Sequence, residues 1–182
     1  MSHVTDDGRL DVTKIKTLVT NDDGVYSRHF HDTKKGLIDG GVESPLFLVP
    51  HSDSSGASAS LTLKHPVLLK SINHNTIEAY GTPVDCTSIA IQTLGITPEL
   101  IISGINRGNN IAGDLQYSGT FNTAVNALRL VESYYPVNKK VQVFALSTGT
   151  LKYTEEQARY FCRALDRGCF DVNDADAPEL SE

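Results

Sequence analysis

The chain has 182 residues, of which 40% are hydrophobic and 21% charged, with a formal net charge of -6; this suits one medium domain able to bury a sizeable core. The acidity argues against binding to a nucleic-acid polymer, which needs clustered Lys and Arg along phosphate backbones, but it leaves a small phosphorylated ligand open because a metal ion can supply local positive charge. Cys86, Cys162 and Cys169 lack CxxC spacing, and there is neither an apolar N-terminal leader nor a window of ~20 apolar residues, so a reduced, cytoplasmic protein away from membranes is expected.

Residues 1–14 and 171–182 read as flexible tails around a single domain over residues 15–170, the C-terminal tail being acidic. Residues 15–20 (IKTLVT) predict a buried strand that runs straight into Asn21-Asp22-Asp23-Gly24. A second apolar run, residues 44–50 (SPLFLVP), is followed by a Ser- and Gly-rich stretch over residues 51–60. Residues 66–72 and 76–80 flank Asn73-His74-Asn75 and predict a hairpin. Val84, Ile89, Ile91 and Leu94 predict a helix ending at Gly95.

A third strand is expected over residues 98–105 (PELIISGI), leading into the Asn- and Gly-rich residues 103–120. Phe121, Ala124, Val125, Leu128 and Val131 carry a helical stripe, and residues 140–147 (KVQVFALS) a fourth strand. Ala158, Phe161, Cys162 and Leu165 repeat the helical stripe near the C-terminus, with Thr154 and Gln157 as a capping box and Gly168 as a stop. Strands alternating with helices indicate an α/β fold with a parallel sheet.

Ligands of such sheets bind beyond the carboxyl ends of the strands, and here three strands end in loops rich in Asp, Asn, Ser and Gly. Their oxygens suit a hard divalent cation such as Mg or Mn. Tyr117-Ser118-Gly119-Thr120, just ahead of a helix, offers backbone N–H groups and hydroxyls to a phosphate. Each piece also has a plain reading: Asp-Gly as a turn, Ser118 or Thr120 as a helix cap, Arg107 as a solvated charge, and His29 and His31 as surface residues. Asp6-Asp7-Gly8 follows no apolar strand and reads as a turn.

The motifs TNDDG (20–24), SSGASASLTL (54–63), YGTPVDCT (80–87), ISGINRGNN (102–110) and YSGT (117–120) together resemble the SurE family, the stationary-phase survival proteins. The resemblance implies a Rossmann-like three-layer sandwich with a mostly parallel sheet and a β-hairpin excursion. It further implies a phosphomonoesterase, a 5′-nucleotidase or acid phosphatase, that takes one divalent metal ion and hydrolyses nucleoside monophosphates. The metal ligands would be Asp22, Asp23, Ser55 and Asn106, with Asp22 and Asp23 also catalytic. Asn21, Gly56, Asn110, Ser118, Gly119 and Thr120 would bind the phosphate and substrate, and Thr82, Pro83 and Asp85 would stand near them. Family members form dimers, so a homodimer or larger homo-oligomer is expected, with the Ala158–Leu165 stripe covering a sheet edge or facing a second subunit. After NDDG this chain reads VYSRHF, without the family's Pro and Gly. That departure keeps a rival reading in view: a relative that binds metal and nucleotide, or acts as an assembly partner, without turnover.

Overall fold

The computed structural model describes residues 12–149 and 154–166. Asp6, Asp7, the Thr154 side chain, Gly168 and residues 171–182 lie outside the described residues, and with them the turn, the capping box, the helix stop and the acidic tail expected there. Among the described residues one sheet contains β1 (Thr17–Thr20), β2 (Pro45–Pro50), β3 (Leu69–Asn73), β4 (Thr76–Ala79), β5 (Leu100–Arg107) and β6 (Gln142–Thr148). Its spatial order is β3-β4-β2-β1-β5-β6, parallel throughout except for the β3–β4 hairpin.

Helices α1 (Arg28–Asp39), α2 (Pro83–Ser88), α3 (Gly119–Tyr134) and α4 (Thr154–Asp166) cover both faces. Strands buried on both sides read as continuous apolar runs, and their alternation divides the core. Leu18, Leu46, Leu48 and Ile101 pack with Cys86, Ala90, Ala127 and Leu130 from α2, its continuation and α3. Their neighbours Val19, Phe47, Val49 and Ile102 face the other way, onto Phe30, Leu37, Ala158, Phe161 and Cys162 of α1 and α4. Each fully buried Leu, Ile, Val or Phe among them contributes roughly 1.5–3 kcal/mol, the alanines less. The fold is the three-layer α/β sandwich expected, with the β-hairpin at one edge.

Several details differ from the sequence reading. The polar helix α1 was not anticipated; Ser27 caps it by accepting the Phe30 N–H at 3.0 Å. The third strand runs on to Arg107 because Asn106 and Arg107 pair with Ser147 and Thr148 after a register shift. The helix expected to end at Gly95 is α2 plus a π-helical turn, Ile89–Thr93, with Gly95 at φ 67°.

On α3 the buried face is Thr120, Thr123, Ala124, Ala127 and Leu130, while Phe121 and Leu128 of the expected stripe are exposed. The helix is rotated because its first turn is pinned inward by Thr120 and Gly119 at Asp22. The Ala158, Phe161 and Cys162 stripe of α4 is buried within the chain against α1 and Phe144, rather than left facing outward.

The sheet grows to opposite sides of β1, with β2 on one and β5 on the other, both parallel to it. Loops leaving neighbouring strands at such a switch point diverge and open a crevice at the carboxyl edge. That edge carries Asp22, Ser55 and Asn106.

Candidate functional site

Asp22 sits at the end of β1, 3% exposed. The Thr120 hydroxyl donates to its Oδ1 at 2.8 Å, and its backbone carbonyl accepts the Ser54 N–H at 2.7 Å. Gly119 lies so close that a Cβ there would stand 2.9 Å from Asp22 Oδ2, which reserves the position for glycine. Three chain segments far apart in sequence therefore converge on this one residue.

Around it lies a cleft of about 210 Å³ lined by Asp22, Ser55, Gly56, Asn106, Arg107, Asn110, Asp114, Tyr117 and Ser118. Asn106, at the end of β5, donates from Nδ2 to the Gly108 carbonyl at 3.1 Å, which turns its Oδ1 into the side chain's remaining donor atom for a cation. Asn110 is tethered by its donation to Ser147 Oγ at 2.6 Å. Ser118 caps α3, its Oγ accepting the Phe121 N–H at 3.0 Å, so the positive end of that helix meets the cleft. The Ser58 N–H donates to the Tyr117 carbonyl at 3.2 Å, joining the loop after β2 to the segment ahead of α3.

Asp23 faces differently. It lines a neighbouring cleft of about 450 Å³ with Ser27, Arg28, His29, Asp32, Asp53 and Arg107. The two aspartates thus open onto adjoining clefts that share Arg107. Asp23 Oδ2 is buried with no hydrogen-bond partner. Burial, then the charge of Asp22, pushes the Asp23 carboxyl up to about 6. Burial raises Asp22 as well, against the opposing Thr120 hydrogen bond. Two adjacent carboxyl groups whose ionised forms are both disfavoured form a site that a cation would stabilise.

Other expected residues serve the scaffold. Asn21 is buried, and its Oδ1 accepts the Gly24 N–H at 3.3 Å, shaping the turn. Thr82 and Asp85 form a capping box at the start of α2, with Pro83 in its first turn. Asp85 also accepts the Thr62 N–H at 2.9 Å and its hydroxyl at 2.6 Å, and Thr82 Oγ1 donates to the Ser60 carbonyl at 2.6 Å. That motif fastens the far end of the loop that carries Ser55.

His29, expected on the surface, is 4% exposed beneath the Asp23 cleft, and burial lowers its pKa. Asp53 was missed by sequence reasoning; it accepts the Ser55 N–H at 2.8 Å and adds negative charge near Asp22 and Asp23. Its signal was its place two residues before Ser55 in the same polar loop. Among the described residues, no cluster of three or more His, Cys, Asp or Glu side chains could hold a metal ion. A cation here would depend on the amide and hydroxyl oxygens of Asn106 and Ser55 beside the carboxylates. Among the same residues no helix is long and apolar enough to cross a membrane.

A family model described as "Survival protein SurE" matches residues 17–168. A 5′-nucleotidase SurE of Vibrio cholerae serotype O1 (strain M66-2) is 41% identical over 114 residues, 62% of this chain and 43% of the relative. A 5′-nucleotidase SurE of Citrifermentans bemidjiense is 40% identical over 114 residues, 62% of this chain and 45% of that protein. The chain thus spans less than half the length of these curated relatives. The crystal structure of the SurE protein from Aquifex aeolicus superposes with a TM-score of 0.71 at 25% identity, covering 86% of this chain and 60% of that one. With the family's matched region spanning nearly the whole described fold, this chain belongs to the SurE family.

Proposed function

We propose that the chain is a metal-dependent phosphomonoesterase that hydrolyses nucleoside monophosphates to nucleoside and phosphate. The observation that carries this reading is the unpartnered, buried Asp23 Oδ2 beside the buried Asp22, at the edge where Ser55 and Asn106 converge. Such a cluster is costly without a counter-charge, and its donors are the hard oxygens that Mg and Mn accept. The names of the similar proteins supply the substrate class.

Asp22, Asp23, Ser55 and Asn106 would hold one divalent ion, which when bound polarises a phosphoryl oxygen and lowers the pKa of a water. Thr120 fixes the Asp22 carboxylate, and Asn106 is oriented through Gly108. The first turn of α3 and Asn110 line the space for the phosphoryl oxygens, and the helix start favours their negative charge. Arg107, exposed between the two clefts, adds a cation for the same group. Water attacks phosphorus in line: its oxygen forms the new P–O bond, the ester P–O bond breaks, and the water's proton ends on the departing hydroxyl. Asp22 or Asp23 orients that water.

The buried thiols of Cys86 and Cys162 fit a reducing cytoplasm. Self-association into a homodimer is supported by exposed Leu61, Leu63, Leu68 and Ile72 around the hairpin edge. Phosphate release from AMP, GMP and an aryl phosphate, with Mg or Mn and then with a chelator, tests the activity. Turnover that the chelator abolishes is the expected outcome. Nucleotide binding without turnover under any metal would overturn the enzyme in favour of a binding protein.

A further inference from the structure

Beside the phosphate cleft stands a group of rings that the proposed chemistry leaves unused. His51 follows β2 directly and Tyr80 follows β4 directly, and the His51 N–H donates to the Ala79 carbonyl at 2.7 Å, so both rings rise from neighbouring strand ends. Their planes are stacked, with centroids 4.4 Å apart and 13° between them. Tyr26 meets His51 edge-on at 5.6 Å and 84°. The three rings make a corner with one stacked wall and one perpendicular wall, and Tyr26 is 62% and Tyr80 40% exposed.

What holds the corner in place is unusual for a surface feature. Glu78, in β4, is 0% exposed. His51 Nδ1 is hydrogen-bonded to its Oε1, Lys70 Nζ stands 3.5 Å from Oε2, and the Tyr26 hydroxyl lies close to the same carboxylate. A buried carboxylate is tolerated only where several partners satisfy it. Here the bonded partner is the polar end of an exposed ring, and Oε2 keeps no hydrogen bond of its own, so Glu78 orients His51 from below with the Tyr26 hydroxyl beside it. Scattered surface tyrosines need no such anchor.

The corner also lies within reach of the phosphate cleft. Tyr26 is four residues beyond Asp22 and His51 is four residues before Ser55, both of which line that cleft, and each span is at most ~14 Å along the chain. The Val25 N–H donates to the Pro50 carbonyl at 2.8 Å, drawing the two loops together. The length of a nucleoside monophosphate bridges such distances, and every nucleobase presents a flat π-face.

We infer that the Tyr26–His51–Tyr80 corner, anchored by Glu78, is where the substrate's nucleobase stacks, making Tyr80 and Tyr26 specificity-determining residues. The inference rests on the nucleotidase reading and deepens it, because the same phosphate cleft then selects nucleotides over simple sugar phosphates. Stacking lost to alanine costs a base-binding protein roughly 10- to 100-fold in affinity.

The test compares AMP with ribose 5-phosphate, which lacks the base, on the full chain with Mn. Both steady-state turnover and equilibrium binding are measured for the parent, Tyr80→Ala, Tyr26→Ala and Tyr80→Phe. The exposed positions allow truncation without emptying the core, and circular dichroism checks the fold. Tyr80→Ala and Tyr26→Ala should raise the AMP KM and Kd about 10- to 100-fold, leave ribose 5-phosphate unchanged, and leave kcat for AMP nearly so; Tyr80→Phe should retain the parent values. Turnover of AMP with equal losses for both substrates would overturn the stacking site while sparing the enzyme. AMP binding that depends on Tyr80, without turnover, would overturn the enzyme while sparing the stacking site. Neither binding nor turnover of AMP would overturn both.

Discussion

At the residue scale, the pair Asp22-Asp23 has a measurable signature even without metal. The folded protein holds the Asp23 carboxyl up at about 6, well above the ~3.9 of an unfolded chain. A raised carboxyl means that the folded state binds the extra proton between those two values. The metal-free protein therefore loses stability as pH rises from about 4 to about 6, and the loss is complete above that window. The penalty is at most about 3 kcal/mol, reduced by the partial exposure of Asp23. Asp23→Asn should raise the metal-free Tm at pH 7 by several degrees and flatten its dependence on pH, read by thermal melts in EDTA. The same variant should lose metal affinity and phosphatase activity, whereas Asp7→Asn should change neither. Equal effects from both would place the metal elsewhere.

At the element scale, α4 docks on α1 through small residues at matched spacing. A Cβ on Gly36 would come within 2.6 Å of Ala158 Cβ, and one on Gly40 within 2.6 Å of Cys162 Sγ. Glycine in a helix interior ordinarily costs about 0.5–1 kcal/mol relative to alanine. Gly36→Ala should nevertheless destabilise, by about 1–3 kcal/mol in urea unfolding, because overpacking wins over propensity. An increase in stability would mean that the two helices separate freely. The α4 stripe was legible from Ala158, Phe161, Cys162 and Leu165, because apolar spacing is a local property. Its partner was not: α1 reads as polar, and the glycines that receive α4 carry no hydropathy signal. The rotation of α3 escaped for a related reason. Spacing reports a helix, but the bond from Thr120 to Asp22, 98 residues away in sequence, decides which face turns inward.

At the scale of the whole molecule, a cation would tie β1, β2 and β5 together across the switch point. It binds the folded chain alone, so at 100 times its dissociation constant it should add roughly 2.7 kcal/mol. At this chain length that is a Tm rise of about 5–11 °C; identical melting curves in Mn and in EDTA would contradict a cation site. The carboxyl-edge cluster was legible because polar loops followed buried strands in order. The division of Asp22 and Asp23 between two clefts was not, since it depends on where Arg107 and α1 come to rest. Likewise Glu78 read as one polar residue in a hairpin strand; only the sheet order buries it under His51 and Tyr26.

The pairing of β1 also sets a timetable. Thr17 is matched with Pro45 on one side but with Leu100 on the other, so the central strand stays half-paired while the intervening chain is made. At ~5–20 residues per second that interval is roughly 3–11 s. Asp22 and Asp23 emerge early but gain Asn106 and Thr120 only after β5 and the start of α3 are made, Thr120 lying 98 residues beyond Asp22, so no early fragment offers a cation its full set of oxygens. A cation should accordingly act as a brake on unfolding and leave refolding unhurried, since such distant pairings form late. In stopped-flow experiments Mn at 100 times its dissociation constant should slow unfolding by about 100-fold and leave the refolding rate within twofold. Acceleration of refolding by a comparable factor would instead place the oxygen cluster in the transition state.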